Sequence, residues 1–388
     1  MRIIVGHPVR GENFFPRNKV INKIYRQLES GASLYMNAPR RVGKTSIMFN
    51  LEDFPRENYH FIYIDASKID NSEAFFMKLM QELLKSEGVQ RFVKASEKTK
   101  SIFDAITDKF KKIEGFGFSI EFGDTKQSSY FDVFNDTLLR LNLENFRIVF
   151  MIDEFPTTIE NIIKKQDEQE AIMFLHRNRS LRQIPRKAIN FIYTGSIGLP
   201  QLVKKLKKSE TVNDITFIDV PPLTIEEAKS LAISLLEKHK IVCESDVLDY
   251  LVSKVEWLMP FFIQFMVDEL LGIWEDGAET VTYSMIDEAF LKIISSRNYS
   301  KFASYVERLE DGLALDGEFD IAKQILCLIA TEQTVSKDEI LKNQDENAKN
   351  RLKNILSSLE YDGYIFEENN QYRFNSPILR MWWLKQVC

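Results

Sequence analysis

Ala38-Pro39-Arg40-Arg41-Val42-Gly43-Lys44-Thr45 is the stretch on which the reading of this sequence turns. The apolar run Ser33-Leu34-Tyr35-Met36 precedes it, and a helical stretch begins at about Thr45. A strand that turns sharply into a helix leaves the first backbone N–H groups of that helix unpaired. Together with the positive end of the helix dipole they form a seat for phosphate. In that seat Lys44 reaches the β- and γ-phosphates of a nucleoside triphosphate as a point charge, and the Thr45 hydroxyl holds Mg²⁺. Ala38 stands where such loops normally carry their first glycine, so the loop entry requires a negative φ.

Outward from this loop, short β-branched runs alternate with amphipathic stretches. His60-Phe61-Ile62-Tyr63-Ile64, Arg147 to Ile152, Ile189 to Tyr193 and Ile215 to Val220 read as strands, with a helix over Ser72 to Lys85 after the first of them. Near-continuous apolar runs belong to strands covered on both faces, and the alternation predicts an α/β fold with a parallel sheet. The third run ends in Asp153-Glu154. Asp153 is the candidate metal ligand, and Glu154 the candidate group that polarises the attacking water. The fourth ends in Thr194-Gly195-Ser196, where Thr194 or Ser196 can meet the γ-phosphate or the water. Phe116 to Phe122, flanked by glycines, reads as an inserted edge strand or hairpin.

After Val220 the texture changes. Pro221-Pro222 breaks the chain, and Thr224 with Glu227 makes a capping box. Helices follow, among them a buried one within Trp257 to Trp274. The last part reads as three helices (Ile321 to Ala330, a short one capped by Ser336, and Asn347 to Leu359) and then a hairpin. Tyr364-Ile365-Phe366 and Tyr372-Arg373-Phe374 are its arms and Asn369-Asn370 its turn, the pattern of a winged helix-turn-helix. The domains expected are a core over 1–222, a helical lid over 223–300, and a linker helix with a winged helix over 301–388.

The 388 residues carry a net charge of −6, so contact with nucleic acid would need a local basic patch. Lys349, Arg351, Lys353 and Arg373 could supply one, but Asp345, Glu346, Glu360, Asp362, Glu367 and Glu368 neutralise that element. A second basic run, Arg177, Arg179, Arg182, Arg186 and Lys187, is ordinarily a solvated face. Three scattered cysteines fit a reducing, cytoplasmic setting without disulfides. No run is apolar enough to span a bilayer, and Met1 to Gly6 opens no long apolar stretch of the kind a signal peptide carries, so none is expected.

These residues resemble the archaeal-type P-loop ATPase family, on the AAA+/STAND branch. The matching segments are Gly11 to Arg17, Ala38 to Ser46, Ile152 to Pro156, Thr194 to Ser196, Pro222 to Thr224 and Tyr372 to Arg380, in the family's order. The resemblance implies a sheet of order 5-1-4-3-2, a helical lid and a C-terminal winged helix. It places Phe15 and Arg17 near the adenine, Ala38, Pro39, Arg40, Arg41, Val42, Gly43 and Ser46 with Lys44 and Thr45 around the phosphates, and the helix beginning at Pro260 over the nucleotide. ATP and Mg²⁺ are the implied cofactors, in a nucleotide-dependent switch with a protein partner and assembly on ATP binding. DNA contact through 320–376, in a loading, defence or mobile-element role, is the alternative. Between the fourth and fifth strands Lys204, Lys205, Lys207 and Lys208 occur without an arginine, so no arginine finger is expected there.

Overall fold

The computed structural model describes all residues except 95–99, 102, 106, 109, 111–128, 142, 144–145, 185–187, 196–197, 275–279, 313–316 and 343–345. The expected strand at Phe116 to Phe122, and Ser196, Arg186 and Lys187, lie outside the described residues. The chain forms two compact units. One comprises Met1–Phe15, Ala38–Ser46 and Val220–Cys388, and the other Pro16–Asn37 and Ile47–Asp219.

The second unit is built on a parallel sheet of β1 (Ser33–Asn37), β2 (Tyr59–Asp65), β3 (Arg147–Asp153), β4 (Ile189–Thr194) and β5 (Ile215–Asp219), in the order β2-β3-β4-β1-β5. This is the expected 5-1-4-3-2 arrangement read from the other edge. Every residue of β4 is buried and all but the first of β3, as their unbroken apolar sequence requires. Helices α1 (Asn18–Glu29), α3 (Ser72–Lys85), α4 (Glu87–Lys94), α5 (Tyr130–Arg140), α6 (Phe155–Lys165), α7 (Glu168–Arg182) and α8 (Leu199–Lys205) belong to this unit. Helix α3 begins where the Asn71 side chain accepts from Ala74 N–H. It buries Phe75, Leu79 and Leu83 along one row and Phe76 and Met80 along the next. The rings of Phe75, Phe155 and Phe174 meet in one cluster, with Phe75 and Phe174 edge to face at 4.8 Å. Each such ring contributes roughly 2–3 kcal/mol by leaving water.

The first unit includes the phosphate-loop segment, and helix α2 (Lys44–Asp53) starts within it. Its helical part contains α9 (Ile225–Glu237), α10 (Ser245–Val255), α11 (Pro260–Leu271) and α12 (Tyr283–Ile293). The predicted Thr224–Glu227 capping box opens α9, with both reciprocal hydrogen bonds made. Helix α13 (Tyr299–Gly312) follows, then α14 (Glu318–Glu332), β6 (Val335–Ser336), α15 (Lys337–Lys342), α16 (Glu346–Tyr361), β7 (Ile365–Glu368), β8 (Gln371–Phe374) and α17 (Pro377–Gln386). The antiparallel sheet β6-β8-β7 with its helices is a winged helix. Asn369 and Asn370, at φ 53° and 64°, make the tight turn of the wing. An aromatic spine crosses this unit: Phe302 of α13 stacks on Phe262 of α11 and on Trp382 of α17, and Trp382 meets Trp383, which packs on Tyr364.

One expectation is corrected. Cys327 and Cys388 form a disulfide, with Cα atoms 5.6 Å apart. Their separation of 61 residues carried no signal. The packing of α17 on α14, fastened where Arg380 donates to the Ala330 carbonyl, brings them together.

Candidate functional site

In the second unit the strand register sets three side chains side by side at one sheet edge. Ile152 of β3 pairs with Tyr193 of β4, and Thr194 pairs with Met36 of β1, so Asp153, Thr194 and Asn37 end neighbouring strands. Asp153 is buried, its Oδ2 accepts from Tyr63 Oη at 3.2 Å, and its Oδ1 accepts from Glu154 N–H. Burial first, and then the charge of Asp153, push the Tyr63 phenol far above its ordinary pKa. Tyr63 is therefore a neutral donor that orients the carboxylate. Glu154 takes the left-handed conformation at φ 58°, which turns the chain sharply out of β3 into α6, and its Oε2 accepts from Thr157. Non-glycine residues there carry strain, and such strain collects at functional positions. The Thr194 hydroxyl is fully buried and finds no partner among the described residues. Buried hydroxyls are rarely left so.

In the first unit the loop Ala38–Ser46 is shaped by Arg41 at φ 71° and Gly43 at φ 95°. Closely spaced left-handed residues of this kind are the backbone feature from which anion nests are built. Ala38 has no positive φ, which is why alanine is accommodated. Lys44 is buried, and its ammonium donates to the carbonyls of Ala38 (2.7 Å) and Pro39 (3.0 Å). Val42 is buried, Thr45 half-buried, and the Ser46 hydroxyl accepts from Val9 N–H. Arg40 donates to the Ser304 carbonyl, and Arg41 to the Lys301 carbonyl and Ser304 Oγ, all on α13. The Arg41 guanidinium also lies 4.2 Å from the ring centre of Phe261, next to Pro260 at the first turn of α11. Phe15 belongs to this unit, whereas Arg17, buried at the start of α1, belongs to the other.

The sequence missed Tyr63, although an aromatic near the end of β2, one strand from an acid-tipped β3, is a usable signal. It also missed the hold of Arg40 and Arg41 on α13, because contacts 260 or more residues apart leave none.

The site and sheet together define a P-loop fold of the AAA+ kind. No protein-family model matches the chain, and no curated protein sequence matches it. Among solved structures it is similar to a Walker-type ATPase of Pyrococcus abyssi, at 17% identity and a TM-score of 0.67 over 99% of each chain. It is also similar to the ORC2 protein of Aeropyrum pernix, in its ADPNP–ADP complexes, at 12% identity and 0.54 over 97% of this chain and 95% of that one. At these identities the likeness shows the fold: this chain has that of an archaeal-type P-loop ATPase of the AAA+ kind. Among the described residues no helix is long and apolar enough to cross a membrane.

Proposed function

We propose that this chain binds ATP with Mg²⁺ and hydrolyses it slowly, as a nucleotide-dependent switch of AAA+/STAND type whose state is read by a protein partner. The observation that carries the reading is chemical economy at one sheet edge. The tips of β3 and β4 present a buried, tyrosine-oriented carboxylate and a hydroxyl with no partner among the described residues, and Ala38–Ser46 is a lysine-bearing loop with two left-handed residues. Among the described residues no three His, Cys, Asp or Glu side chains cluster to cage an ion unaided. Mg²⁺ at a triphosphate needs only one or two protein ligands, so Thr45 and Asp153 fit it. When bound, it would neutralise charge on the β- and γ-phosphates.

The remaining work falls to side chains. The loop N–H groups and Lys44 hold the phosphates, with Lys44 exchanging its carbonyl partners for phosphate oxygens. Glu154 orients the water, and the Thr194 hydroxyl donates to the water or the terminal phosphate. Phe15, Arg17 and Pro260 frame the base. The boundaries 1–222, 223–300 and 301–388 describe the core, lid and reader. The DNA-adaptor reading draws less support, because Arg373 of the wing is spent on Glu368 and on the Phe366 ring.

Nucleotide binding and phosphate release test the proposal together. Lys44→Ala should abolish ATP binding, and Glu154→Gln should bind ATP normally while phosphate release falls by about 100-fold or more. ATP affinity unchanged in Lys44→Ala would remove the basis of the assignment.

A further inference from the structure

No arginine lies between β4 and β5, yet the fold brings one to the phosphate loop by another route. Arg40 and Arg41 hold helix α13 at Lys301 and Ser304. Arg308 lies one helical turn beyond Ser304, on the same face. It is almost wholly buried, and a buried guanidinium normally spends its donors on a two-pronged acceptor. Here a single nitrogen, Nη2, reaches Asp362 at 3.3 Å, and Nη1 has no partner among the described residues. The hydroxyl of Tyr305, also buried, has none either.

Asp362 sits at the corner between α16 and the wing, and that corner lies against the phosphate loop. Gly363 follows at φ 79°, and a Cβ added there would fall 2.8 Å from Cβ of Pro39 and 2.7 Å from the Trp257 ring. Only glycine lets the backbone come this close. Burial pushes the Asp362 carboxyl up, and Arg308, Arg40 and Lys44 pull against it in that order. Burial, with the neighbouring charge of Arg40 adding to it and Tyr305 opposing, lowers the pKa of Arg41. Arg40 and Arg41 donate to carbonyl and hydroxyl oxygens, which carry no charge to balance them. The surroundings are those of a site short of negative charge, with one carboxylate serving several cations.

We propose that Arg308 is a phosphate-binding arginine for the terminal phosphate of ATP, and that Asp362 is its placeholder anion, standing where a phosphate would otherwise be held. This rests on the nucleotide-binding reading above and adds to it a cis arginine and an internal competitor. A phosphate offers the several oxygens that Nη1 and Tyr305 lack, where one carboxylate oxygen at 3.3 Å does not. A purely structural Arg308–Asp362 clamp makes the opposite prediction, since loss of the carboxylate would then loosen the winged helix and win nothing for a ligand.

The test is calorimetric titration of the full chain with Mg·ATP, Mg·ADP and tripolyphosphate, alongside thermal melts. Asp362→Asn should bind ATP and tripolyphosphate about 10-fold tighter, by removing the competing charge. Arg308→Lys should weaken ATP by about 10-fold and leave ADP within about 2-fold, since only the triphosphate reaches it. Unchanged or weaker binding in a folded Asp362→Asn overturns the proposal, and so does equal loss of ATP and ADP in Arg308→Lys. If Arg308→Lys does not fold, Asp362→Asn decides alone. If the parent binds ATP and Lys44→Ala does not, a flat Asp362→Asn removes this inference only. If the parent binds neither ATP nor tripolyphosphate, both readings fall.

Discussion

Two arginine clusters look alike in the sequence and have opposite fates in the fold. Arg177, Arg179 and Arg182 are consumed within the second unit. Arg177 pairs with Glu73, Arg179 donates to the Glu210 carbonyl, and Arg182 makes a two-pronged bond to Asp214 with both contacts at 2.9 Å. Burial works against the charge of Arg182, but Tyr193 and Asp214 hold its pKa above the ordinary value. The solvated face expected for this run is therefore corrected for the three described arginines: they bind the second unit together. Arg40 and Arg41, in the phosphate loop, find main-chain carbonyls, a hydroxyl and a ring face instead. Donors satisfied by neutral acceptors keep their charge available, whereas a carboxylate partner cancels it. A two-pronged carboxylate partner makes a structural cation of Arg182, whereas neutral acceptors at Arg40 and Arg41, or a single contact at 3.3 Å as at Arg308, leave charge that can serve an anion.

The comparison can be broken most directly at Arg182. Its side chain is 2% exposed, so Arg182→Ala leaves Asp214 without its buried partner, and urea or thermal melts should register a loss of about 3–5 kcal/mol. Nucleotide affinity, measured on the fraction that remains folded, should not change. A loss below about 1 kcal/mol would place Arg182 with the dispensable surface arginines.

Arg41→Ala should behave in the reverse way. The cost in stability should be about 1 kcal/mol, from a hydrogen-bonded guanidinium over an aromatic ring, while ATP affinity falls by about 10-fold. A variant that melts far below the parent yet binds ATP as well would show that Arg41 is structural after all.

The smallest effect concerns charge inside the second unit. Burial holds the pKa of His60 below its ordinary 6.5. The folded state prefers neutral imidazole, so His60 favours folding above about pH 6.5, and that contribution is lost as pH falls from there towards the depressed folded value. Melting temperature should fall gently across that window, and His60→Gln should flatten the fall. An unchanged slope would assign the acid sensitivity to other groups.

Much of this molecule was legible in the sequence, for reasons local to the chain. The five strands were readable because a strand covered on both faces must be apolar at nearly every position, and their order followed from the resemblance that the loop and the acid-tipped strand supported. The Thr224–Glu227 capping box and the Asn369–Asn370 turn were readable because caps and tight turns are decided within four residues. The positions of Lys44, Thr45, Asp153 and Glu154 were readable for the same reason: each is fixed by its place at the end of a strand or the start of a helix.

What the sequence by itself determined, then, is the α/β frame, the winged helix and the strand-to-helix loop that carries Lys44. Only the tertiary structure decided the rest: that Tyr63 orients Asp153, that Arg182 is an internal tie and Arg41 a grip on α13, that Cys327 meets Cys388, and that Asp362 faces Arg308. Each of these joins segments far apart in the chain, where no local spacing constrains the pairing. The choice of partner is set by packing, which is a property of the assembled fold.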